Sequence, residues 1–486
     1  MTSAVDPDVR VEFTLSLRTQ TALHLGAAAG DLVADLALAR DGAGHCYIPG
    51  TSWGGVLRRL AARLFDTDEV AAAFGKDPSG ADPGHASRVF IDDTPIGAPT
   101  TGTPVELRTG VGIDRVTGAA ADRIRYDREV VPPGSVVTLR LRYEGAAGDP
   151  VDLLRLLVAA VRCDGIQVGA ATRRGLGRLS CEDAEERVVD LRSRTSVLDE
   201  LAGTLRGTPV EPETAGLEAL RIRLDWRTAR PVVVGGSAPG DRADLVPLLT
   251  RSGDGAGLVP VLPGSAVKGV LRSTAERVLR TVLTGLDAPS PDFVAGLDRD
   301  ALRVPALEAL FGSRTRAGAV TVPDVSAEVS PVPTEQWADY LAGGSPPGWG
   351  AERIHVAIDR WTGGAAAEQL FTVQETTGVR WPPLAVEVDL QFLATALPAE
   401  RERRAALVLL GLAVAALVEG TVGLGGGTTR GLGEIEVTGL DVDAPGWLPR
   451  WSGVPGAEPG QRWWQWLAQA APDGGWVGAL SRAEVG

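Results

Sequence analysis

The sequence predicts a mixed fold of helices and strands, built as two tandem copies of one domain. Three observations predict it. Strand-type alternation recurs along the chain, apolar helical runs stand between the strands, and one glycine-rich stretch is written twice. GAATRRGLGRL at residues 169–179 returns as GGGTTRGLGEI at residues 425–435. Each copy follows an apolar helical run and leads into a strand-like run, residues 179–188 and 435–442. Glycine admits positive φ and lets backbone approach a bulky ligand, and free N–H groups beside Arg174 and Arg430 suit a phosphate oxygen. For one copy alone, a tight turn between helix and strand is an equally good reading. Recurrence with the same threonine and arginine favours function.

Residues 11–17 (VEFTLSL) alternate as a half-buried strand. Residues 21–31 (TALHLGAAAGD) enter a small-residue loop that runs to about Asp41. YIPG breaks the chain before Thr51 or Ser52, the expected N-caps of the helix TSWGGVLRRLAARLF. Its Val56, Leu57, Leu60 and Leu64 share one face; Arg58, Arg59 and Arg63 share the solvent-facing other. An FG turn precedes the short strand SRVFIDD, and residues 109–128 form a charged arm containing IDRVTG. Residues 136–143 alternate as a strand, and residues 151–162 are an apolar helix leading to the glycine loop.

The second half repeats this order. Residues 220–228 match the first strand, and residues 235–244 form a second small-residue loop with acids. LPGSAVKGVLRSTAERVLR mirrors YIPGTSWGGVLRRLAARLF, and an FG turn with a strand ending in Asp324 follows. IDRWTG mirrors IDRVTG, residues 384–393 alternate as a strand, and residues 405–418 form the helix before the second glycine loop. The offset grows from 214 between Gly50 and Gly264 to 245 between Asp114 and Asp359 and 256 between Gly175 and Gly431. Several motifs in one order, twice, indicate two homologous domains. The expected boundaries are 1–188 and 218–442, with a polar linker at 189–217 and a Trp-rich tail at 443–486. The tail holds six of the twelve tryptophans, fit either for an interface or for packing back on its own domain.

At 486 residues the chain exceeds one ordinary core. Its 44% hydrophobic and 23% charged content are those of a globular protein. The longest apolar run, residues 405–418, falls short of the roughly 20 residues that span a bilayer. An acidic, non-apolar N-terminus reads as lacking a signal peptide, and three scattered cysteines imply a reduced, cytoplasmic protein without structural zinc. A net charge of −14 argues against indiscriminate nucleic-acid binding while leaving room for a local basic groove.

The four histidines show no paired spacing, and there is no GxSxG elbow or Walker loop. The glycine loops follow helices, unlike dinucleotide fingerprints. What remains is acids in flexible loops: Asp31 and Asp241 at matching places, with Asp35 and Asp244 a few residues later. A carboxylate near an RNA 2′-hydroxyl could hold a divalent ion or help activate the attacking oxygen, although Asp in such a loop is more often a turn residue. The arm's Arg108, Arg115, Arg123, Arg125 and Arg128 suit nucleic-acid contact or a solvated hairpin.

The ordered set PGTSWGGVLRR and PGSAVKGVLRS, the FG turns with their strand and acid, IDR-x-TG, and TRRGLG and TTRGLG resembles the RAMP superfamily of CRISPR systems, over about residues 10–185 and 218–440. It looks most like a tandem fusion of two type III effector backbone subunits. The resemblance implies an α+β fold with a modified ferredoxin-like (RRM-like) domain in each half. Each would have an antiparallel sheet, helices on one face and a β-hairpin thumb within the IDR arm. It implies a CRISPR guide RNA held along its backbone, target RNA paired to that guide, and neighbouring backbone, large and small subunits, with no membrane partner. RNA contacts then fall on Arg58, Arg59, Arg115, Arg173, Arg174, Gly175, Gly177, Lys268, Arg272, Arg360, Arg430, Gly431 and Gly433. Endoribonuclease activity on target RNA, with a divalent metal such as Mg2+, falls on Asp31 and Asp241, with Asp35 and Asp244 as fallbacks. A silent RNA-binding scaffold is the alternative, and a histidine-dependent guide-processing ribonuclease, with His24 its only candidate, a third. Two departures stand out: Gly54 replaces the lysine that the second copy keeps as Lys268, and two subunits are fused in one chain.

Overall fold

Val9, Val11, Phe13, Leu15 and Leu17 alternate along the strand Val9–Thr19, and all five are buried. A strand buried on one face needs neighbours on both edges, and the chain supplies them antiparallel: Val136–Gly145 on one side and Arg178–Asp190 on the other. Val89–Ile91 and Thr208–Pro209 close the two edges. The helices Gly50–Leu64, Thr67–Phe74 and Asp149–Asp164 contribute Trp53, Leu57, Phe74, Leu154, Leu157 and Val161 to the core that covers the buried face. Each such side chain stabilises the fold by about 1.5–3 kcal/mol.

This computed structural model describes residues 7–27, 34–79, 82–97, 105–114, 118–236, 241, 243–283, 304–446, 448, 451–453 and 475–480. The chain divides into two compact units. The first comprises Met1–Glu106, Glu129–Thr172 and Leu176–Leu217; the second comprises Leu107–Arg128, Arg173–Gly175 and Glu218–Gly486. The hairpin arm of the first repeat and three residues of its glycine loop thus belong to the second unit.

The second unit has the same strand order around Ala219–Thr228. Leu384–Asp389 and Ile435–Asp443 flank it, with Val320–Thr321 and Trp451–Gly453 at the edges, all antiparallel. Gly264–Val282, Pro305–Phe311 and Glu400–Val418 pack their apolar residues onto this sheet. The repeat extends to irregularities. The central strand shifts register between Ser16 and Leu17 in one sheet and between Asp225 and Trp226 in the other. Each copy is the α+β, ferredoxin-like arrangement that the motifs imply.

Three local expectations are corrected. The first long helix starts at Gly50, after Pro49, not at a Thr51 or Ser52 cap. Asp93 Oδ1 accepts the Gly50 N–H at 2.8 Å, and Asp324 Oδ1 accepts the Gly264 N–H at 2.9 Å, so an acid from a distant segment replaces a local cap. A Cβ at Gly264 would lie 1.8 Å from the Val322 carbonyl oxygen, which explains the glycine of the PG turn. The strand expected over 384–393 stops at Asp389, whose Oδ1 accepts the Phe392 N–H and starts the helix Leu390–Ala396. Within 189–217 the polar composition conceals the helix Arg194–Leu201, capped by Ser193, and the edge strand Thr208–Pro209. At the other end of the chain, Leu480 is buried in the second unit's core, with Trp476 packed against it. Among the described residues no helix is long and apolar enough to cross a membrane.

Candidate nucleic-acid interface

IDRWTG is the turn of a hairpin in the second repeat, and Asp114 and Gly118 of IDRVTG stand between the two strands of a hairpin in the first. The strands Glu106–Ile113 and Ala120–Val130 form the first hairpin, and Gly350–Ile358 with Ala365–Thr376 form the second. Asp114 and Asp359 open the turns, and Gly118 and Gly363 close them at φ +67 and +68, where only glycine is unstrained. Asp359 Oδ1 accepts the N–H groups of Trp361 and Thr362 at 2.7 and 3.2 Å. The turn holds Trp361 out in solvent, 96% exposed, beside the exposed Arg360.

In the second unit the first hairpin meets a cluster of cations. Arg108, 8% exposed, bonds Asp324 Oδ2 at 2.5 Å and Thr250 Oγ1 at 3.2 Å. Arg173 bonds Thr321 Oγ1 at 3.1 Å and Asp389 Oδ2 at 3.0 Å, with its guanidinium 5.4 Å from the Phe392 ring centre. Arg272 bonds Glu276 Oε1 at 2.9 Å and the Gly312 carbonyl at 3.0 Å. Lys268 is 8% exposed and donates to the carbonyls of Arg173 at 3.0 Å and Val320 at 2.7 Å, tying the tip of the glycine loop to the helix Gly264–Val282. Burial first, and then the guanidiniums of Arg173, Arg174 and Arg272, lower its pKa to about 7. Arg128 stands over the Tyr126 ring at 5.5 Å, with its Nε buried and without a hydrogen-bond partner among the described residues. Burial, then Arg174 and Arg108, pull its pKa down, with Tyr126 opposing.

Among the described residues, six basic side chains (Arg108, Arg128, Arg173, Arg174, Lys268 and Arg272) cluster here, and Asp324, Asp389 and Glu276 pair with three of them, Arg108, Arg173 and Arg272. Arg174 is exposed and has no partner among the described residues. Positive charge beside backbone of positive φ, at Gly175 (φ +103), is the kind of surroundings that suits a phosphate oxygen. The second glycine loop repeats part of this. Arg430 is exposed, its guanidinium 5.9 Å from the Phe371 ring centre, with Gly431 and Gly433 at φ +80 and +73.

The remaining expected residues are dispersed. Arg58 and Arg59 are exposed on the first helix, with Arg58 donating to the Phe74 carbonyl at 3.2 Å. Gly177 sits at φ +77 in the first unit. Arg115 and Asp31 lie outside the described residues, and Asp35 is exposed. Asp241 is exposed, its backbone N–H donating to Leu341 at 2.8 Å, whereas Asp244 Oδ2 accepts the Thr372 N–H at 2.7 Å. His24 is buried at 3% exposure, with Nδ1 2.7 Å from the Glu129 carbonyl oxygen, a structural placement. Among the described residues no three His, Cys, Asp or Glu side chains converge as a metal site. Tyr126 and Phe371 carry the aromatic contacts of the two hairpins and were not singled out by sequence, although they stand 245 residues apart, the spacing of the turns they belong with.

The family model of the RAMP superfamily matches residues 16–180 and 245–436. The chain belongs to the RAMP superfamily. The first region spans most of the first sheet and its helices; the second begins after the central strand Ala219–Thr228 and runs through the helices, the hairpin and the glycine loop of its repeat. Membership points to an RNA-binding protein associated with type III CRISPR complexes. No curated protein matches the chain.

Proposed function

We propose that this RAMP protein is a guide-RNA-binding backbone subunit of a type III CRISPR effector complex, covering two backbone positions with one chain. The uncompensated cation cluster beside the first glycine loop supports this most. In a chain of net charge −14, a local excess at Arg174 and Arg128 concentrates phosphate where general electrostatics would repel it. A-form RNA is recognised by shape, phosphate and 2′-hydroxyl contacts, and sequence is left to guide pairing. Glycine loops and arginines suffice for that work. The two exposed hairpins are the thumbs in this reading, with target RNA and the other effector subunits as further partners.

Cleavage of target RNA is assigned to Asp241, with Asp31 its counterpart in the first repeat. Asp241 has an exposed carboxylate in the loop beside the second hairpin. Its role is to accept the proton of a 2′-hydroxyl as that oxygen attacks the adjacent phosphorus and the 5′-oxygen leaves. Asp244 is a weaker candidate because one oxygen already holds the Thr372 N–H. Among the described residues no acid group converges, and a silent scaffold is the second reading. The assay is guide-loaded complex with complementary target RNA, comparing wild type, Asp31→Asn, Asp241→Asn and Arg174→Glu. Loss of one cut per Asp variant, with guide binding intact, is expected; identical cleavage by all would leave the scaffold. Arg174→Glu should weaken guide binding and flatten its salt dependence, and unchanged binding would remove the loop from the RNA site.

A further inference from the structure

The two acid loops are near-copies held by different devices. ADLALAR at residues 34–40 returns as ADLVPLL at residues 243–249, an offset of 209. The fold keeps the same offset, since Gly26 bridges Leu38 and Gly235 bridges Pro247. Both loops lay a carbonyl on the returning strand of their repeat's hairpin. Leu36 accepts the Glu129 N–H at 3.0 Å, and Leu245 accepts the Gln374 N–H at 2.8 Å. In the first repeat the Glu129 side chain then locks the loop. It is 7% exposed, its Oε2 accepts the Leu38 N–H at 2.9 Å, and its Oε1 pairs with Arg40 at 3.2 Å. In the second repeat every part of that lock is changed. Gln374 replaces the carboxylate, Pro247 has no N–H to give, and Leu249 replaces the guanidinium. The Gln374 amide is buried, with no hydrogen-bond partner among the described residues.

A helix takes its place. Asp359 follows Asp324 by 35 residues, whereas Asp114 follows Asp93 by 21, and the longer stretch holds the helix Thr334–Leu341. Leu341, at the end of that helix, accepts the Asp241 N–H at 2.8 Å. Tyr340, 1% exposed, is buried with Ala243 and Val246 in a small cluster apart from the main core. Trp337 packs against both that cluster and the main core. Its ring centre lies 5.3 Å from Tyr340 and 6.2 Å from Trp349, itself a main-core residue. Three aromatic rings in succession thus tie the second acid loop to the body of its unit.

We infer that the helix Thr334–Leu341 seats the second acid loop and so positions Asp241 for cleavage, with Tyr340 and Trp337 as the positioning residues. The first loop depends on Glu129 and Arg40 instead, so each loop can be loosened without the other. Position carries this much weight because a misplacement of about 1 Å at a reacting group costs about a hundredfold in rate. The positioning role rests on the assignment of cleavage to Asp241; the seating of the loop does not.

Hydrogen exchange on the full chain, read by mass spectrometry, measures the seating. Tyr340→Ala should cost residues 243–248 their protection, which comes from the Asp244 and Leu245 N–H groups on the Thr372 carbonyl and the Leu248 N–H on Val234. Residues 35–40 and the central strand Ala219–Thr228 should exchange as in wild type. Glu129→Ala should loosen residues 35–40 and spare 243–248. Tyr340→Phe keeps the ring and should match wild type in both loops. In the guide-loaded complex, single-turnover cleavage of complementary target RNA reads the consequence. Tyr340→Ala should slow the Asp241 cut about a hundredfold relative to the Asp31 cut on the same strand, and Tyr340→Phe should restore it. Unchanged exchange over 243–248 in Tyr340→Ala overturns the seating. Faster exchange there with an unchanged Asp241 cut overturns the positioning role. If Asp241→Asn loses no cut, the cleavage assignment falls and the positioning role with it, while the exchange rates still decide the seating by themselves.

Discussion

Lys268→Met tests the most unusual group in the protein. A lysine whose pKa falls from 10.5 to about 7 on folding releases its proton in the native state while the unfolded chain still holds one. The unfolded state therefore binds more protons between about pH 7 and 10.5, and native stability rises with pH across that window. Below about pH 7 both states are protonated and the contribution is flat at its least favourable value. The cause is burial first and three neighbouring guanidiniums second, so the proton is unwelcome even though two carbonyls accept from the ammonium. The limiting slope is about 1.4 kcal/mol per pH unit. Integrated from pH 7.5 to 9.5, with the native group already mostly neutral at the start, the gain is about 2 to 3 kcal/mol.

The assay is urea unfolding of wild type and Lys268→Met at several pH values across that range, followed through the transition of the second unit. Every other titrating group is common to both chains, so the difference between them isolates Lys268. Wild type should gain about 2 to 3 kcal/mol on the variant as pH rises. The sign at neutral pH is a separate matter, because methionine fills the volume but leaves the Arg173 and Val320 carbonyls without their donor. A difference that stays flat with pH would show that Lys268 is solvated and fully charged, which would refute its burial against the Arg173 and Val320 carbonyls.

The same lysine should make RNA binding pH-dependent. Phosphate near Arg174 favours the protonated form, so guide affinity should fall between pH 6.5 and 8.5 in wild type and change less in Lys268→Met when measured by filter binding at constant salt. Gly175→Ala should cost more than Gly431→Ala in thermal or urea unfolding. Both glycines have positive φ, worth about 1–2 kcal/mol to any other residue, but only the Gly175 Cβ would meet Asp324 and the Val322 carbonyl, at 2.6 and 2.8 Å. Equal costs would show that the loop tip is not seated. Trp361→Ala should weaken binding to guide–target duplex by about 1–3 kcal/mol, the usual worth of one stacked base, without changing unfolding, since the side chain touches solvent almost alone. Unchanged duplex affinity would remove Trp361 from the interface.

The repeat was legible because its motifs are backbone devices. Pro49–Gly50, Asp114 with Gly118, and the glycine loops each need a residue type that no neighbour can substitute, so spacing alone reveals them. The helix start was not legible, because its cap comes from Asp93, far along the chain, and no local pattern records that partner. Polar composition hid the helix Arg194–Leu201, whose residues include none that are buried. At the candidate site, the arginines of the glycine loop were readable as cations, but their division of labour was not. Arg173 spends its guanidinium on Thr321 and Asp389, while Arg174 beside it remains exposed. Lys268 read as a direct phosphate contact; the fold turns it inward to the backbone, so that any influence on RNA passes through charge and through the position of the loop.

This inward turn bears on why the first repeat lacks the lysine. A buried ammonium is tolerable only where acceptors converge on it, and one of the two acceptors is the Arg173 carbonyl of the first glycine loop. A Cβ at Gly54 would have, among the described residues, only Ile91 Cδ1 within 4 Å, at 3.8 Å, so a lysine there would start from open surface. The exchange of Lys268 for Gly54 and of Arg173 for Thr429 are thus one change rather than two. The residues that seat a loop of the same chain are free to become specific for it, because covalent linkage keeps the loop at high local concentration.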